Sequence, residues 1–132
     1  MIGYINDLVY VCGPAPLQVG VAKGIDLLPG EFYTSLCNDY RKKRDQICEV
    51  LSETGLHPFV PNGAYYVLSD VSGLPGGTSK EKAMYLLHKT GVASVPGSAF
   101  YHDSGGENLV RFCFAKKDDE LRLACERLLT LS

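Results

Sequence analysis

Asn108-Leu109-Val110-Arg111-Phe112-Cys113-Phe114-Ala115-Lys116-Lys117 is the stretch whose reading decides the fold. It is short, apolar and rich in aromatic and β-branched residues, with Gly105-Gly106 before it and an acidic helix start after it. That pattern predicts a buried strand. Alternation puts Val110, Phe112 and Phe114 on one face and Leu109, Arg111 and Cys113 on the other. Arg111 is the anomaly, because a guanidinium in an apolar strand is costly unless a carboxylate or phosphate pairs with it. One reading is an arginine on a solvated sheet face or paired with a distant acid. The other is an anion-binding arginine that faces a ligand cleft and forks onto a carboxylate with two hydrogen bonds.

The neighbours of this strand supply the rest of the domain. Downstream, Asp118-Asp119 starts a helix with Leu121, Leu123, Ala124, Leu128, Leu129 and Leu131 on a broad apolar face. Upstream, Val92-Ala93-Ser94-Val95 reads as a strand. Pro96-Gly97-Ser98-Ala99-Phe100-Tyr101 is a small-residue loop where backbone can approach a ligand closely. Before it, Thr78 or Ser79 caps a helix that carries Ala83, Met84, Leu86 and Leu87 and ends near Gly91. Gly76-Gly77-Thr78-Ser79-Lys80 lacks the full phosphate-loop pattern and reads as a flexible loop with a helix cap.

His57-Pro58-Phe59-Val60 is an edge strand, since Pro58 cannot donate to a ladder. It turns at Pro61-Asn62-Gly63 into a second strand over 64–68, a hairpin-like pattern. A long amphipathic helix over 31–54 precedes them. Phe32, Leu36, Tyr40, Ile47 and Leu51 form its apolar stripe, Gly55 its C-terminal stop, and Arg41-Lys42-Lys43-Arg44 a solvated face balanced by Asp39, Asp45 and Glu49. Pro14 or Pro16 opens an earlier helix through Ile25, weakened by Gly20 and Gly24 and apolar on most sides. Together these predict a two-layer α+β domain, with helices packed on one face of a small sheet of about four strands.

Composition narrows the function. The 132 residues suit one domain with a hydrophobic core, and a net charge of -2 leaves no electrostatic footprint for nucleic acid or an anionic membrane. No apolar run approaches the ~20 residues that span a bilayer. Asn6 and Asp7 interrupt the first apolar residues, which argues against a signal peptide. The cysteines (Cys12, Cys37, Cys48, Cys113 and Cys125) are odd in number and irregular in spacing. They read as reduced, mostly buried thiols of a cytoplasmic protein. His57, His88 and His102 do not pair with them at zinc-ligand spacing, so no metal site is expected.

Four segments, in order, resemble the C-terminal part of class I/II aminotransferases, the fold type I pyridoxal-phosphate enzymes. They are Pro14-Ala15-Pro16-Leu17-Gln18, Phe59-Val60-Pro61-Asn62-Gly63-Ala64-Tyr65-Tyr66, Gly91 through Tyr101, and Val110 through Lys116. The Arg111 segment looks closest to the kynurenine, glutamine and methionine aminotransferase-like branch. The resemblance implies that Arg111 binds the α-carboxylate of an amino-acid substrate. It also implies that Gly63 brings backbone close to the substrate and that Tyr65 lines the pocket wall. The loop from Gly97 to Phe100 would lie at the cleft rim, and Cys12-Gly13 near a subunit interface. None of the eight lysines has the S-x-S-K setting of the family's catalytic lysine. The expectation is therefore a fragment: residues 1–28 an interdomain helical segment and 29–132 the small domain. The parent would be a homodimer that carries pyridoxal phosphate and acts on an amino acid and a 2-oxo acid. The fragment alone would be inactive, with no catalytic, cofactor-binding or metal residues of its own. A different class remains open on the residues themselves: a stand-alone, non-catalytic α+β module that binds an amino acid or other carboxylate through Arg111.

Overall fold

The computed structural model describes residues 2–9 and 13–131. Among the described residues five helices and four strands follow one another: α1 (Ile2–Val9), α2 (Ala15–Leu27), α3 (Gly30–Glu53), β1 (His57–Phe59), β2 (Tyr66–Asp70), α4 (Ser79–Thr90), β3 (Val95–Pro96), β4 (Leu109–Cys113) and α5 (Asp118–Leu128). A 3₁₀ turn, Gly97–Phe100, lies between β3 and β4, and another closes the chain after α5. The chain divides into two compact units, one up to Leu36 and one from Cys37.

The second unit is the expected two-layer α+β arrangement. Its sheet is antiparallel in the order β1-β2-β4-β3. Pro58 sits on the β1 edge, where its missing N–H breaks no inner ladder. β4 pairs with β2 through Leu68↔Arg111 and with β3 through Val95↔Arg111, so the arginine lies mid-sheet. Val67 and Ser69 on β2 and Val110 and Phe112 on β4 are buried, while Tyr66, Leu68, Leu109, Arg111 and Cys113 are half-buried. Ile47 and Leu51 of α3, Leu86 of α4, and Leu121 and Leu128 of α5 pack with that buried face and with Phe114. Each fully buried side chain of this size contributes about 1.5–3 kcal/mol.

The helix ends follow from their sequence. α3 closes at Gly55, whose φ of +76° is the left-handed conformation that glycine adopts without penalty. The Gly55 N–H donates to the Ser52 carbonyl and the Leu56 N–H to that of Leu51, while Leu56 itself is buried in the core. That is the six-residue closing pattern expected of a glycine-terminated helix. α4 begins with Thr78 as cap. The Thr78 side chain accepts from the Glu81 N–H, and the Glu81 carboxylate accepts in return from the Thr78 N–H.

Several expectations need correction. The second strand lies at 66–70, not 64–68, because residues 61–65 are taken up by the turn. The third is only Val95–Pro96. The amphipathic stripe of α3 is buried only in its second half. Phe32 and Leu36 are exposed, as are Met84, Leu87, Leu123 and Leu129. Amphipathic spacing tells which face can be covered, not whether anything covers it. Lys43 and Arg44 are not simply solvated, at 19% and 21% side-chain exposure. Lys43 Nζ meets the Lys116 carbonyl at 2.6 Å and the Asp118 carboxylate at 2.5 Å, tying α3 to the start of α5.

In the first unit, α2 buries no residue, and Leu17, Val19, Val21, Ile25 and Leu27 are exposed. Among the cysteines, Cys48 and Cys125 are buried, Cys113 is half-buried and Cys37 is exposed. Burial pushes the Cys48 and Cys125 thiols up, so they stay protonated. Cys12 lies outside the described residues.

Candidate functional site

Arg111 stands on the sheet face away from the helices, and what surrounds it is aromatic. Its guanidinium carbon lies 5.2 Å from the Tyr66 ring centroid and 4.8 Å from that of Phe100. Two cation–π contacts of this kind contribute about 0.5–2 kcal/mol each. They do not satisfy its N–H groups. Its Nε is buried without an acceptor, and among the described residues no carboxylate pairs with the guanidinium. No distant acid is paired with Arg111 among the described residues, and its Nε is closed off from solvent. A guanidinium presents a planar donor edge whose geometry matches a carboxylate with two hydrogen bonds.

The other two site residues lie on the turn that enters β2. Tyr65 is 52% exposed, with its ring edge-on to Tyr66 at 5.4 Å between centroids. Gly63 is exposed, with open space where a side chain would be. Between them, Ala64 has a φ of +147°, a conformation that non-glycine residues rarely adopt. The turn is held at both ends. Arg44 Nη1 donates to the Pro61 carbonyl at 3.1 Å, and the Tyr65 carbonyl accepts from the Phe114 N–H at 3.0 Å. The contact from Tyr65 to Tyr66, and from Tyr66 to Arg111, joins this turn to the arginine.

The sequence alone does not point to Tyr66 as a neighbour of Arg111. Strand alternation around Arg111 identifies its own face, but not the register that brings Tyr66 alongside it. Phe100 was expected only as part of a loop at a rim. A separate cleft of about 460 Å³, lined among others by Ile47, Val92, Phe112, Lys116 and Arg127, includes none of Arg111, Tyr65 and Gly63. Among the described residues no cluster of acidic, histidine or cysteine side chains is arranged to hold a metal ion.

Residues 5–128 match the family model of aminotransferase class I and II. The chain belongs to this family. It is 34% identical to the kynurenine–oxoglutarate transaminase of Dictyostelium discoideum, across 89% of this chain and 32% of that protein. It is 36% identical to the methionine aminotransferase of Escherichia coli K12, across 86% of this chain and 29% of that protein. Among solved structures, N-succinyldiaminopimelate aminotransferase from Mycobacterium tuberculosis superposes with a TM-score of 0.81 at 34% identity, covering 96% of this chain and 33% of that one. The chain thus spans about a third of the length of the curated relatives it matches. The resemblance drawn from the four segments, including the kynurenine and methionine aminotransferase-like branch, agrees with these relatives.

Proposed function

We propose that this chain is the small-domain part of a pyridoxal-phosphate-dependent aminotransferase, and that Arg111 binds the α-carboxylate of its amino-acid substrate. The observation that carries the reading is a half-buried guanidinium with an unpaired Nε beside two aromatic rings, in a chain of the aminotransferase class I and II family. A carboxylate from the substrate completes the hydrogen bonding that the protein leaves open. Tyr65 and Gly63 stand on the adjoining turn, where Tyr65 offers an aromatic wall and Gly63 unobstructed backbone. Residues 1–28 are then the interdomain helical segment and 29–132 the small domain. The exposed apolar face of α2 suits packing against the remainder of a cytoplasmic homodimer.

Pyridoxal phosphate supplies the electron sink in such a reaction, and it needs a lysine amine beside the substrate. None of this chain's eight lysines has the S-x-S-K setting that the family resemblance calls for. Lys82 is buried and engaged with Asn108 and Glu107, Lys43 is engaged with Asp118, and the other six lysines are exposed. The cofactor site is therefore assigned to the remainder of the parent, and this chain's role is to bind and orient the substrate carboxylate. The test is amino transfer by the parent protein, from a panel of α-amino acids to 2-oxo acids. Parallel double-reciprocal lines are expected, as for a ping-pong cycle. No transfer from any donor would overturn the reading.

A further inference from the structure

Phe100 rests on Arg111 only if the segment from Gly97 to Asn108 is held in place, and a polar cluster on α4 holds both of its ends. Ser79, fully buried, donates through Oγ to Ser98 Oγ at 2.9 Å and accepts from the Ser98 N–H at 3.2 Å. The Ser79 N–H donates to the Glu107 carboxylate at 2.7 Å. One turn along, Lys82 is 4% exposed, and its Nζ donates to Asn108 Oδ1 at 2.6 Å and to the Glu107 carbonyl at 3.4 Å. Between these anchors the segment is closed on itself. A side chain at Gly97 would run into the backbone of Gly106 and Leu109.

None of this is needed to cap α4, because Thr78 and Glu81 already do that. Nor does burying an ammonium favour the core, since an apolar side chain of similar volume would fill the space without the desolvation cost. A hydrogen-bonded polar cluster instead selects one arrangement of the elements it joins. Here those elements are the first turn of α4 and the two ends of the segment that carries Phe100.

We propose that Ser79 and Lys82 are positioning residues for Arg111. They fix the segment from Gly97 to Asn108, and thereby the Phe100 ring that sets the guanidinium's orientation toward a carboxylate. The proposal rests on the reading of Arg111 as the carboxylate-binding residue. Its test uses a different signal, so the two can fail separately.

That signal is the Arg111 side-chain Nε–Hε resonance in heteronuclear NMR of the whole chain. Ring currents from Tyr66 and Phe100 displace it from the free-arginine position, and Phe100→Leu calibrates how much of the displacement Phe100 supplies. Ser79→Ala and Lys82→Met are each expected to lose most of the Phe100 share, while the backbone amides of Val67 and Phe112 keep their wild-type shifts. A merely structural loss would move those core amides too. If Lys82→Met does not fold, Ser79→Ala, which removes only a hydroxyl, decides alone. The proposal is overturned if Ser79→Ala leaves the resonance in place while Phe100→Leu moves it. It is equally overturned if the core amides move along with Arg111, or if Phe100→Leu has no effect. The carboxylate reading is judged by transfer kinetics of the parent, whatever these shifts show.

Discussion

Arg111 lies on a half-buried sheet face against the rings of Tyr66 and Phe100, yet its Nε has no acceptor. Leaving such a donor unmet costs about 1–3 kcal/mol, a cost that an incoming carboxylate removes. Ser69 presents the opposite case, a buried hydroxyl on the core face with no partner and no solvent contact. Ser69→Ala removes an unsatisfied polar group and little volume. Urea unfolding should show it neutral or stabilising by up to about 1 kcal/mol, where most core truncations destabilise. At this scale the sequence was informative about Arg111 itself, because a charge in an apolar alternation stands out. It was silent about Tyr66 and Phe100 as its ring partners. Those contacts depend on strand register and on a loop held by α4, neither of which one strand's pattern encodes.

Helix boundaries were legible from their end residues. Gly55 and the Thr78–Glu81 pair stand where the chain stops and starts, since each satisfies backbone groups that the helix cannot. Gly55→Ala forces a side chain into the left-handed region. A loss of about 1 kcal/mol is expected, read as a lower urea midpoint with an unchanged slope. The tie between α3 and α5 was not legible, because Lys43 and its acceptor Lys116 lie 73 residues apart. It has a pH signature. The hydrogen bond from Lys43, with its charge, holds the Asp118 carboxyl below the ordinary range. A carboxyl depressed in the folded state stabilises above its unfolded value of about 3.9 and loses that contribution as pH falls through the folded one. Thermal unfolding followed below pH 4 should therefore fall less steeply in Asp118→Asn than in wild type. Identical acid limbs would show that the exposed pair contributes nothing.

The chain spans about a third of the length of the relatives it matches, and the proposed role of Arg111 is to orient a substrate whose cofactor site lies in the remainder of the parent. Its two-layer architecture was legible from the order of helical and strand-like segments. How much of α2 and of the first half of α3 finds cover was not, because the partner of an apolar face is not written in that face. The isolated chain is expected to be inactive. Mixed with pyridoxal phosphate and reduced with borohydride, it should give scattered, weak labelling of exposed lysines. Labelling concentrated on one lysine would contradict the assignment of the cofactor site to the remainder of the parent. The most direct measurement compares Arg111→Lys with wild type in the parent protein, using an α-amino acid and the amine that lacks its carboxylate. Loss of a two-bond charge pair costs about 2–5 kcal/mol. The variant should therefore lose on the order of 10²-fold or more in kcat/KM for the amino acid, and almost nothing for the amine. An equal loss for both, or none for either, would mean that Arg111 does not hold the carboxylate.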